Sequence, residues 1–200
     1  MRVRTEARRE AILDTAGAVF MELGYEGASM AEIAARAGCS KVTLYGYFAS
    51  KDYMFLAVIA HHVGREVDPI LEQLAASAQE DPSMVLKRFG ERYLAVTLAP
   101  ESIAMKRLII AQLGDPELSK RFWTLGPQRY LDAVEAYLAA ATSAGRLKVV
   151  DPKLGAQHLT ALYEAETSGG GLFASGRIFT RNDIKRIVGR AVDTFRSIYG

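Results

Sequence analysis

Side chains suited to nucleic acid are concentrated between Ser29 and Lys51. Lys41 can donate to guanine O6 or N7, and Val42 can touch a thymine methyl group, so this pair suits base edges in a major groove. Hydroxyl and ammonium groups that suit phosphate oxygens follow closely, at Thr43, Tyr45, Tyr47 and Lys51. The residue types therefore predict base contacts from the first pair and backbone contacts from the others.

Two short helices are needed to position these groups. Ser29 and Glu32 have the spacing of a capping box, in which Glu32 reaches back to the Ser29 amide, so a helix should begin at about Met30. Gly38 permits the left-handed backbone that ends this helix in a sharp turn, and Ser40 caps the next one. A capped helix, a tight turn and a second capped helix are the layout of a helix-turn-helix.

The second helix should bury one face and leave the other to DNA. Leu44 and Phe48 are four residues apart and share the inner face. Lys41, Val42, Thr43 and Tyr47 lie nearer the outer face. Ser50 should cap the following helix and aim its N-terminal amides at a phosphate beside Lys51. The alternative is an ordinary helical hairpin with a solvated lysine.

Over about its first fifty residues the chain resembles the TetR family of bacterial transcriptional regulators. The matching pattern is FMELGYEGAS, then IAARAG, then SKVTLYGYF and the SK pair that opens a long helix. The resemblance implies DNA contacts at Lys41, Val42, Thr43, Tyr45, Tyr47 and Lys51. With the two capping serines, the candidate DNA-binding set is Ser29, Ser40, Lys41, Val42, Thr43, Tyr45, Tyr47 and Lys51.

Three positions depart from the family pattern. Cys39 stands where valine is usual, Val42 where glycine or proline is frequent, and Gly46 where a large aromatic residue often contacts the DNA backbone. Gly46 puts that one contact in doubt. Val42 predicts that this chain prefers a DNA half-site of its own, different from that of family members with glycine or proline at this position.

Composition limits the classes of protein that fit. The chain has 200 residues, half of them hydrophobic, and a formal charge of +2, so a packed core is expected. The basic excess lies at the start, at Arg2, Arg4, Arg8 and Arg9. This segment is either an arm that contacts phosphates or the minor groove, or a frayed and solvated terminus.

No apolar run is long enough for a membrane span or a signal peptide, so we expect a cytoplasmic protein. The single cysteine, Cys39, excludes an intrachain disulfide; it either fills apolar space or, less simply, senses redox state.

Apolar periodicity predicts an all-α fold. Helices are expected over 7–23, from Lys51 into the seventies with a bend at Gly64 and Pro69, and then over 82–98, 101–113, 116–124, 127–144 and 153–167, with a loop at 148–152. We predict an N-terminal three-helix DNA-binding domain with a helix-turn-helix over 1–50. A larger helical ligand-binding and dimerisation domain, joined to it through the Lys51 helix, should cover 51–200.

Two C-terminal helices carry apolar stripes. The last helix should be capped by Asn182 or Thr180, and its stripe comprises Ile184, Ile187, Val188, Ala191, Phe195 and Ile198. The preceding helix carries Leu154, Leu159, Leu162 and Tyr163. These stripes are either monomer core or, as the TetR resemblance implies, a four-helix interface of a homodimer. A two-fold dimer would favour a palindromic operator, with recognition helices about 34–36 Å apart.

The middle of the chain offers walls for a ligand chamber. The candidate lining comprises Phe89, Tyr93, Met105, Leu108, Ile109, Gln112, Phe122, Trp123, Tyr130 and Tyr163. Each aromatic residue alone is more simply explained as core, so the set predicts a neighbourhood, with Tyr93 and Trp123 as the preferred pair.

Metal and catalytic sites are not indicated. His61 and His62 are adjacent, so their side chains diverge by about 100° on a helix and cannot chelate from one face. Gly169–Gly171 lacks the strand and the Lys-Ser/Thr ending of a P-loop, and is better read as a helix terminus or a mobile loop. We therefore expect no catalytic residue, metal or cofactor.

The sequence favours a homodimeric, ligand-responsive transcriptional regulator. By its resemblance to the TetR family, it should be a repressor that a small hydrophobic or aromatic effector releases from DNA. One rival is an all-helical binding protein or enzyme whose N-terminal hairpin is only structural. Another is a nucleoid-type DNA protein that has no ligand and binds many sequences alike.

Overall fold

The chain is all-α. A computed structural model describes residues 2–112, 116–167 and 178–200, with side chains from Glu6 onward. Over these ranges it contains eleven α-helices, and they connect without a β-strand. The helices are α1 (Arg2–Gly27), α2 (Met30–Arg36), α3 (Lys41–Tyr47), α4 (Lys51–Glu66), α5 (Asp68–Ala76), α6 (Pro82–Thr97), α7 (Pro100–Ala111), α8 (Pro116–Leu125), α9 (Pro127–Ser143), α10 (Pro152–Glu164) and α11 (Arg181–Tyr199).

These helices form two compact units. Unit 1 comprises Met1–Arg65 and Ala104–Gly126, and unit 2 comprises Glu66–Ile103 and Pro127–Gly200. Unit 1 therefore contains α1 to α3, nearly all of α4, most of α7 and all of α8. Unit 2 contains α5, α6, the start of α7 and α9 to α11. The predicted boundary at residue 50 separates a DNA-binding from a ligand-binding function and does not describe compact units, so it stays a prediction.

The first helix is longer than its periodicity predicted. It begins at Arg2 instead of residue 7; Arg2, Arg4 and Glu6 in this added stretch are good helix formers even without an apolar stripe. At Gly24 the backbone turns to φ +72°, which a glycine adopts without a steric penalty. This kink places the Tyr25 ring against Phe20 and Phe55, with centroids 6.0 and 5.1 Å away.

The helix that starts at Lys51 is shorter than predicted. It ends at Glu66, and α5 starts at Asp68 after a single intervening residue, Val67. Pro69 lies in the first turn of α5, where its missing amide leaves no hydrogen bond unmade. The predicted bend is therefore a break between two helices.

Unit 2 is built around a close approach of three helices. Gly90 of α6 lies so near α10 and α11 that a Cβ atom there would be 2.5 Å from Tyr163 Cε1 and 2.9 Å from Val188 Cγ1. Tyr163 is fully buried, and its hydroxyl donates to the Leu86 carbonyl at 2.7 Å. A glycine is needed at this point because any side chain would push the helices apart.

The stripe on α11 packs inside its own protomer. A capping box begins this helix, as the Thr180 hydroxyl accepts from the Asp183 amide and the Asp183 carboxylate accepts from the Thr180 amide. The buried members are Ile184, Ile187, Val188, Ala191 and Phe195, all of which belong to the core of unit 2. The expectation that this stripe faces a second subunit is wrong for these residues, since the stripe covers α6 and α10 instead; Ile198 remains exposed.

The remaining predictions concern segments between helices. Residues 148–152 form a loop up to the start of α10, and the Lys148 amide donates to the Tyr199 carbonyl at 2.8 Å. The glycine run at 169–171 lies outside the described residues. Within the described ranges, no helix has the length and apolar character that crossing a membrane requires.

Candidate nucleic-acid interface

Capping positions α2. The Ser29 hydroxyl accepts from the Glu32 amide at 3.1 Å, as predicted. The second half of the expected capping box does not form, because the Glu32 carboxylate accepts from Arg36 Nε at 2.7 Å instead. Arg36 also pairs with Glu22 of α1, and this guanidinium, through its hydrogen bond, holds the pKa of the Glu22 carboxyl below its ordinary value. Arg36 therefore fastens α2 to α1.

The turn after α2 is held by Arg8. Gly38 has φ +60°, and the Cys39 amide donates back to the Ala34 carbonyl at 3.0 Å, which closes the helix as predicted. The Arg8 guanidinium donates to the carbonyls of Ala37 and Gly38, both at 3.0 Å. Arg8 thus satisfies carbonyls that the end of a helix leaves without partners.

The next helix, α3, is capped and anchored from below. The Ser40 hydroxyl accepts from the Thr43 amide at 3.0 Å. Leu44 and Phe48 are fully buried in the core of unit 1, and Phe48 forms the C-cap just after the helix ends at Tyr47. Burial of each such side chain stabilises the fold by about 1.5–3 kcal/mol, so α3 has one fixed orientation.

The opposite face of α3 is open to solvent. Val42 is 83% exposed, and Lys41, Thr43, Tyr45 and Gly46 are also exposed. Tyr47 is half-buried and packs beside Phe48, with ring centroids 6.2 Å apart. Within the described part of the chain, Lys41 has no ion pair or side-chain hydrogen bond. The predicted base-reading residues are therefore available on a rigid helix.

The start of α4 is tied to Tyr25. The Ser50 hydroxyl accepts from the Tyr53 amide at 3.1 Å, so Ser50 caps α4 as predicted. The Lys51 ammonium donates to the Tyr25 carbonyl at 2.9 Å and lies 4.2 Å from the Tyr25 ring centroid. The Tyr25 hydroxyl in turn donates to the Asp52 carboxylate. An ammonium group has three donors, so Lys51 can hold this junction and still contact a phosphate.

The predicted ligand-binding residues divide between the two units. Four aromatic residues come together in unit 2: Phe89, Tyr93, Tyr130 and Tyr163. The closest rings are those of Tyr93 and Tyr130, which stack with centroids 4.4 Å apart. We call these four residues the aromatic cluster. Of the others, Met105, Leu108, Ile109 and Phe122 pack in the core of unit 1, Gln112 is half-buried there, and Trp123 is 47% exposed on α8.

Polar groups on α10 complete the aromatic cluster. The Tyr93 hydroxyl donates to Glu164 Oε1 at 2.9 Å, and the Thr160 hydroxyl lies 3.4 Å from the Tyr130 hydroxyl. Burial raises the pKa of both tyrosine hydroxyls above the ordinary value, so they remain neutral hydrogen-bonding groups even in alkaline solution. Sequence reasoning missed Glu164 and Thr160; the only signal for them was their spacing of four residues, which places both on one face of a helix.

Comparison with known proteins decides the family. A sequence profile described as bacterial regulatory proteins, tetR family, matches residues 12–58. A second profile, described as AefR-like transcriptional repressor, C-terminal domain, matches residues 84–200, which is more than half of the chain. The chain belongs to the TetR family. It is thus a DNA-binding transcriptional regulator and not an enzyme.

Relatives of this TetR-family chain include curated regulators. It is 42% identical over 73 residues to the HTH-type transcriptional activator FasR of Mycolicibacterium smegmatis, a match that covers 36% of this chain and 33% of FasR. It is 29% identical over 167 residues to the HTH-type transcriptional regulator RutR of Escherichia coli (strain K12), which covers 80% of this chain and 72% of RutR. The chain thus matches a third of FasR's length and nearly three quarters of RutR's.

A solved structure has the same architecture along the whole TetR-family chain. A crystal structure of a TetR-family transcriptional regulator from Mesorhizobium loti MAFF303099 superposes with a TM-score of 0.90. The two chains are 28% identical, and the match covers 98% of each. The helical fold described above is therefore the TetR fold.

In this TetR-family regulator, sequence reasoning named Arg8 in the basic arm but missed its hydrogen bonds to the turn after α2. The N-terminal arginines were expected either to reach DNA or to be frayed, yet α1 is helical from Arg2 and Arg8 bonds to the turn. The side chains of Arg2 and Arg4 lie outside the described residues. No grouping of three or more His, Cys, Asp or Glu side chains in the described ranges could hold a metal ion.

Proposed function

We propose that this protein is a ligand-responsive repressor that binds a palindromic operator as a homodimer. One observation carries the DNA-reading part: the buried Leu44 and Phe48 fix α3 so that exposed Lys41 and Val42 project from its N-terminal half. That half of a recognition helix is the part that meets base edges in a major groove.

The residues of the site have different roles because their side chains differ in chemistry. Lys41 donates to guanine and Val42 contacts a thymine methyl group, so these two residues choose the sequence. Thr43, Tyr45, Tyr47 and Lys51 hold the backbone, while Ser29 and Ser40 build the helices that carry them. Gly46 has open space where a Cβ atom would lie, so the DNA backbone could approach this point closely.

We infer that the dimer forms through exposed faces of α10 and α11. The buried stripe of α11 cannot supply the contact, but Leu154 of α10 is 44% exposed and Ile198 of α11 is 62% exposed. Gly189 of α11 has nothing within 4 Å of a Cβ position, so another helix could approach it closely. Two-fold pairing would place two recognition helices about one DNA turn apart.

The effector site is assigned to the aromatic cluster. Its rings suit a small hydrophobic or aromatic molecule, and the Tyr93, Tyr130 and Glu164 groups supply polar handles. Met105, Ile109, Gln112 and Trp123 belong to unit 1, so this assignment does not include them. A coupling of about 1–3 kcal/mol between effector and operator would change operator affinity about 5- to 150-fold.

A selection from a random DNA library with the purified protein tests the DNA-reading function. We expect enrichment of a palindrome whose half-sites are centred about one helical turn apart, with binding that weakens as salt rises. Loss of binding at low salt would support a purely structural N-terminal hairpin. Equal binding of all sequences would support a nucleoid-type protein instead.

Repression is tested with a reporter gene behind the selected operator. We expect the protein to lower expression in the cytoplasm of a bacterial host, and an effector to restore it. A protein that raises expression from an operator overlapping the promoter would contradict the repressor role while leaving DNA binding intact.

A further inference from the structure

Unit 1 carries a surface groove of about 470 Å³ that does not belong to the interface described above. It is lined by residues of α1, α4 and α8. The apolar lining consists of Leu56, Ala57, Ala60 and Leu125. Tyr53 and Thr124 add hydroxyl groups. The size and the mostly apolar walls are those of a small-molecule site.

Positive charge predominates in this groove. Three cations line it, Arg9, Lys120 and Arg121, against one carboxylate, Glu117. The Glu117 carboxylate already accepts from Arg121 Nε at 2.8 Å. Lys120 has neither an ion pair nor a side-chain hydrogen bond within the described residues. An unpaired ammonium beside apolar surface is complementary to a molecule with one anionic group and an apolar body.

We propose that this groove binds an amphipathic monoanion, a carboxylate attached to an aliphatic or small aromatic body. The carboxylate accepts hydrogen bonds from Lys120 and lies within the field of Arg9, while the apolar body covers Leu56, Ala57 and Ala60. Burial of that body on the apolar lining supplies most of the affinity, and the charged contacts select an anion over a neutral molecule.

The groove is distinct from both sites assigned so far. It shares no residue with the aromatic cluster or with the outer face of α3. It does adjoin the recognition helix indirectly, since the Arg9 guanidinium carbon lies 5.4 Å from the ring centroid of Phe48, the C-cap of α3. Binding in the groove is independent of the proposed repressor function and can be measured without DNA.

The emission of Trp123 provides a direct readout, because it is the only tryptophan and lies next to Thr124 on α8. The full chain is titrated with decanoate, with the neutral 1-decanol and with the cationic decyltrimethylammonium. We expect a saturable change with decanoate and at least tenfold weaker binding of the other two. Calorimetry with decanoate gives a second measurement that does not depend on the position of the tryptophan.

Variants locate the site. Lys120→Ala should weaken decanoate about tenfold, the loss expected for a charge-assisted hydrogen bond, whereas Lys120→Arg should retain most of the affinity. Ala60→Phe should block the groove by filling it. Lys153→Ala, which removes an exposed lysine of unit 2, should bind decanoate like the original chain. Equal binding of decanoate and decanol, no saturable binding by either measurement, or indifference to Lys120→Ala would overturn the proposal.

Discussion

Lys51 has two tasks in unit 1, whereas Lys41 has one. The Lys51 ammonium holds the Tyr25 carbonyl and lies over the Tyr25 ring, while Lys41 is exposed and unpaired in the described part of the chain. A change at Lys51 should therefore alter the positioning of the whole site, and a change at Lys41 should alter only what the site reads.

Substitutions in α3 and α4 should separate these tasks. Lys41→Ala and Val42→Gly should change which operator sequence is preferred, by about 1–3 kcal/mol at the affected base pair. Lys51→Ala should weaken binding to all sequences about equally and lower the thermal stability as well. The measurement is a library selection for each variant together with a melting curve; equal losses across all sequences for the three variants would remove the division of roles.

Tyr137 offers a prediction for alkaline pH. Burial raises the pKa of this tyrosine from 10.0 to about 12. The unfolded chain therefore loses the proton near pH 10 while the folded chain keeps it, so the contribution to stability is complete below pH 10 and is lost as the pH rises towards 12. Chemical unfolding at several pH values should show Tyr137→Phe losing less stability over this range than the original chain.

A matched substitution at Tyr163 serves as the control. The Tyr137 hydroxyl is buried and has no partner within the described residues, so Tyr137→Phe at neutral pH should leave the free energy of unfolding unchanged or raise it by up to about 1 kcal/mol. Tyr163→Phe removes a hydrogen bond to the Leu86 carbonyl and should lower it by about 1 kcal/mol. A loss at Tyr137 as large as that at Tyr163 would show that the Tyr137 hydroxyl is satisfied.

At the scale of elements, the turn between α2 and α3 depends on a residue from α1. Arg8→Ala removes two hydrogen bonds to the carbonyls of Ala37 and Gly38, so we expect the free energy of unfolding to fall by about 1 kcal/mol. Arg65→Ala, in the same unit, breaks only an exposed ion pair with Asp14 and should change it by less than about 0.5 kcal/mol. Denaturant unfolding of both variants measures the difference. Equal effects would mean that the turn does not depend on the hydrogen bonds from Arg8.

The approach of α6 to α10 and α11 makes a second prediction at this scale. Gly90→Ala places a Cβ atom 2.5 Å from Tyr163 Cε1, and this overpacking should cost about 1–3 kcal/mol despite the better helix propensity of alanine. Gly189→Ala in α11 meets open space and should gain up to about 1 kcal/mol. Opposite signs in denaturant unfolding are expected, and a stabilising Gly90→Ala would contradict the close packing.

Caps and turns could be predicted from the sequence, whereas cross-helix contacts could not. Ser29, Ser40, Ser50 and Thr180 bond to amides three residues away, which a local pattern reveals. The partners of Arg8 and Tyr163 lie 30 and 77 residues away, at Gly38 and Leu86. Only packing brings such residues together, so apolar periodicity in the sequence could not predict their roles.

For the whole molecule, apolar stripes alone could not distinguish a protomer core from a subunit interface. Ile187 and Phe195 fit either reading by sequence, and only the folded protomer shows that α6 and α10 already cover that stripe. The aromatic cluster gathers four of the predicted ligand-binding residues, but Met105 and Trp123 belong to unit 1. Helical spacing carries no information on which unit a segment joins.

Dimerisation through α10 and α11 is testable at this scale. The double variant Leu154→Glu and Ile198→Glu should shift the protein to monomer, because it introduces charge where we infer that a partner packs, and operator binding should weaken in parallel. Met84→Glu, which alters a 65% exposed residue on α6, is the matched control and should remain dimeric. Sedimentation velocity distinguishes the species. A double variant that stays dimeric would place the interface elsewhere.

Tyr25 determines how α4 can separate from the end of α1. Its carbonyl and ring hold Lys51, its hydroxyl holds Asp52, and its ring also packs on Phe55. Because these contacts share one residue, they must be broken together when α4 separates from α1. The amide hydrogens at the end of α1 and in the first turns of α4 should therefore exchange with solvent in one cooperative event, not by progressive fraying of either helix.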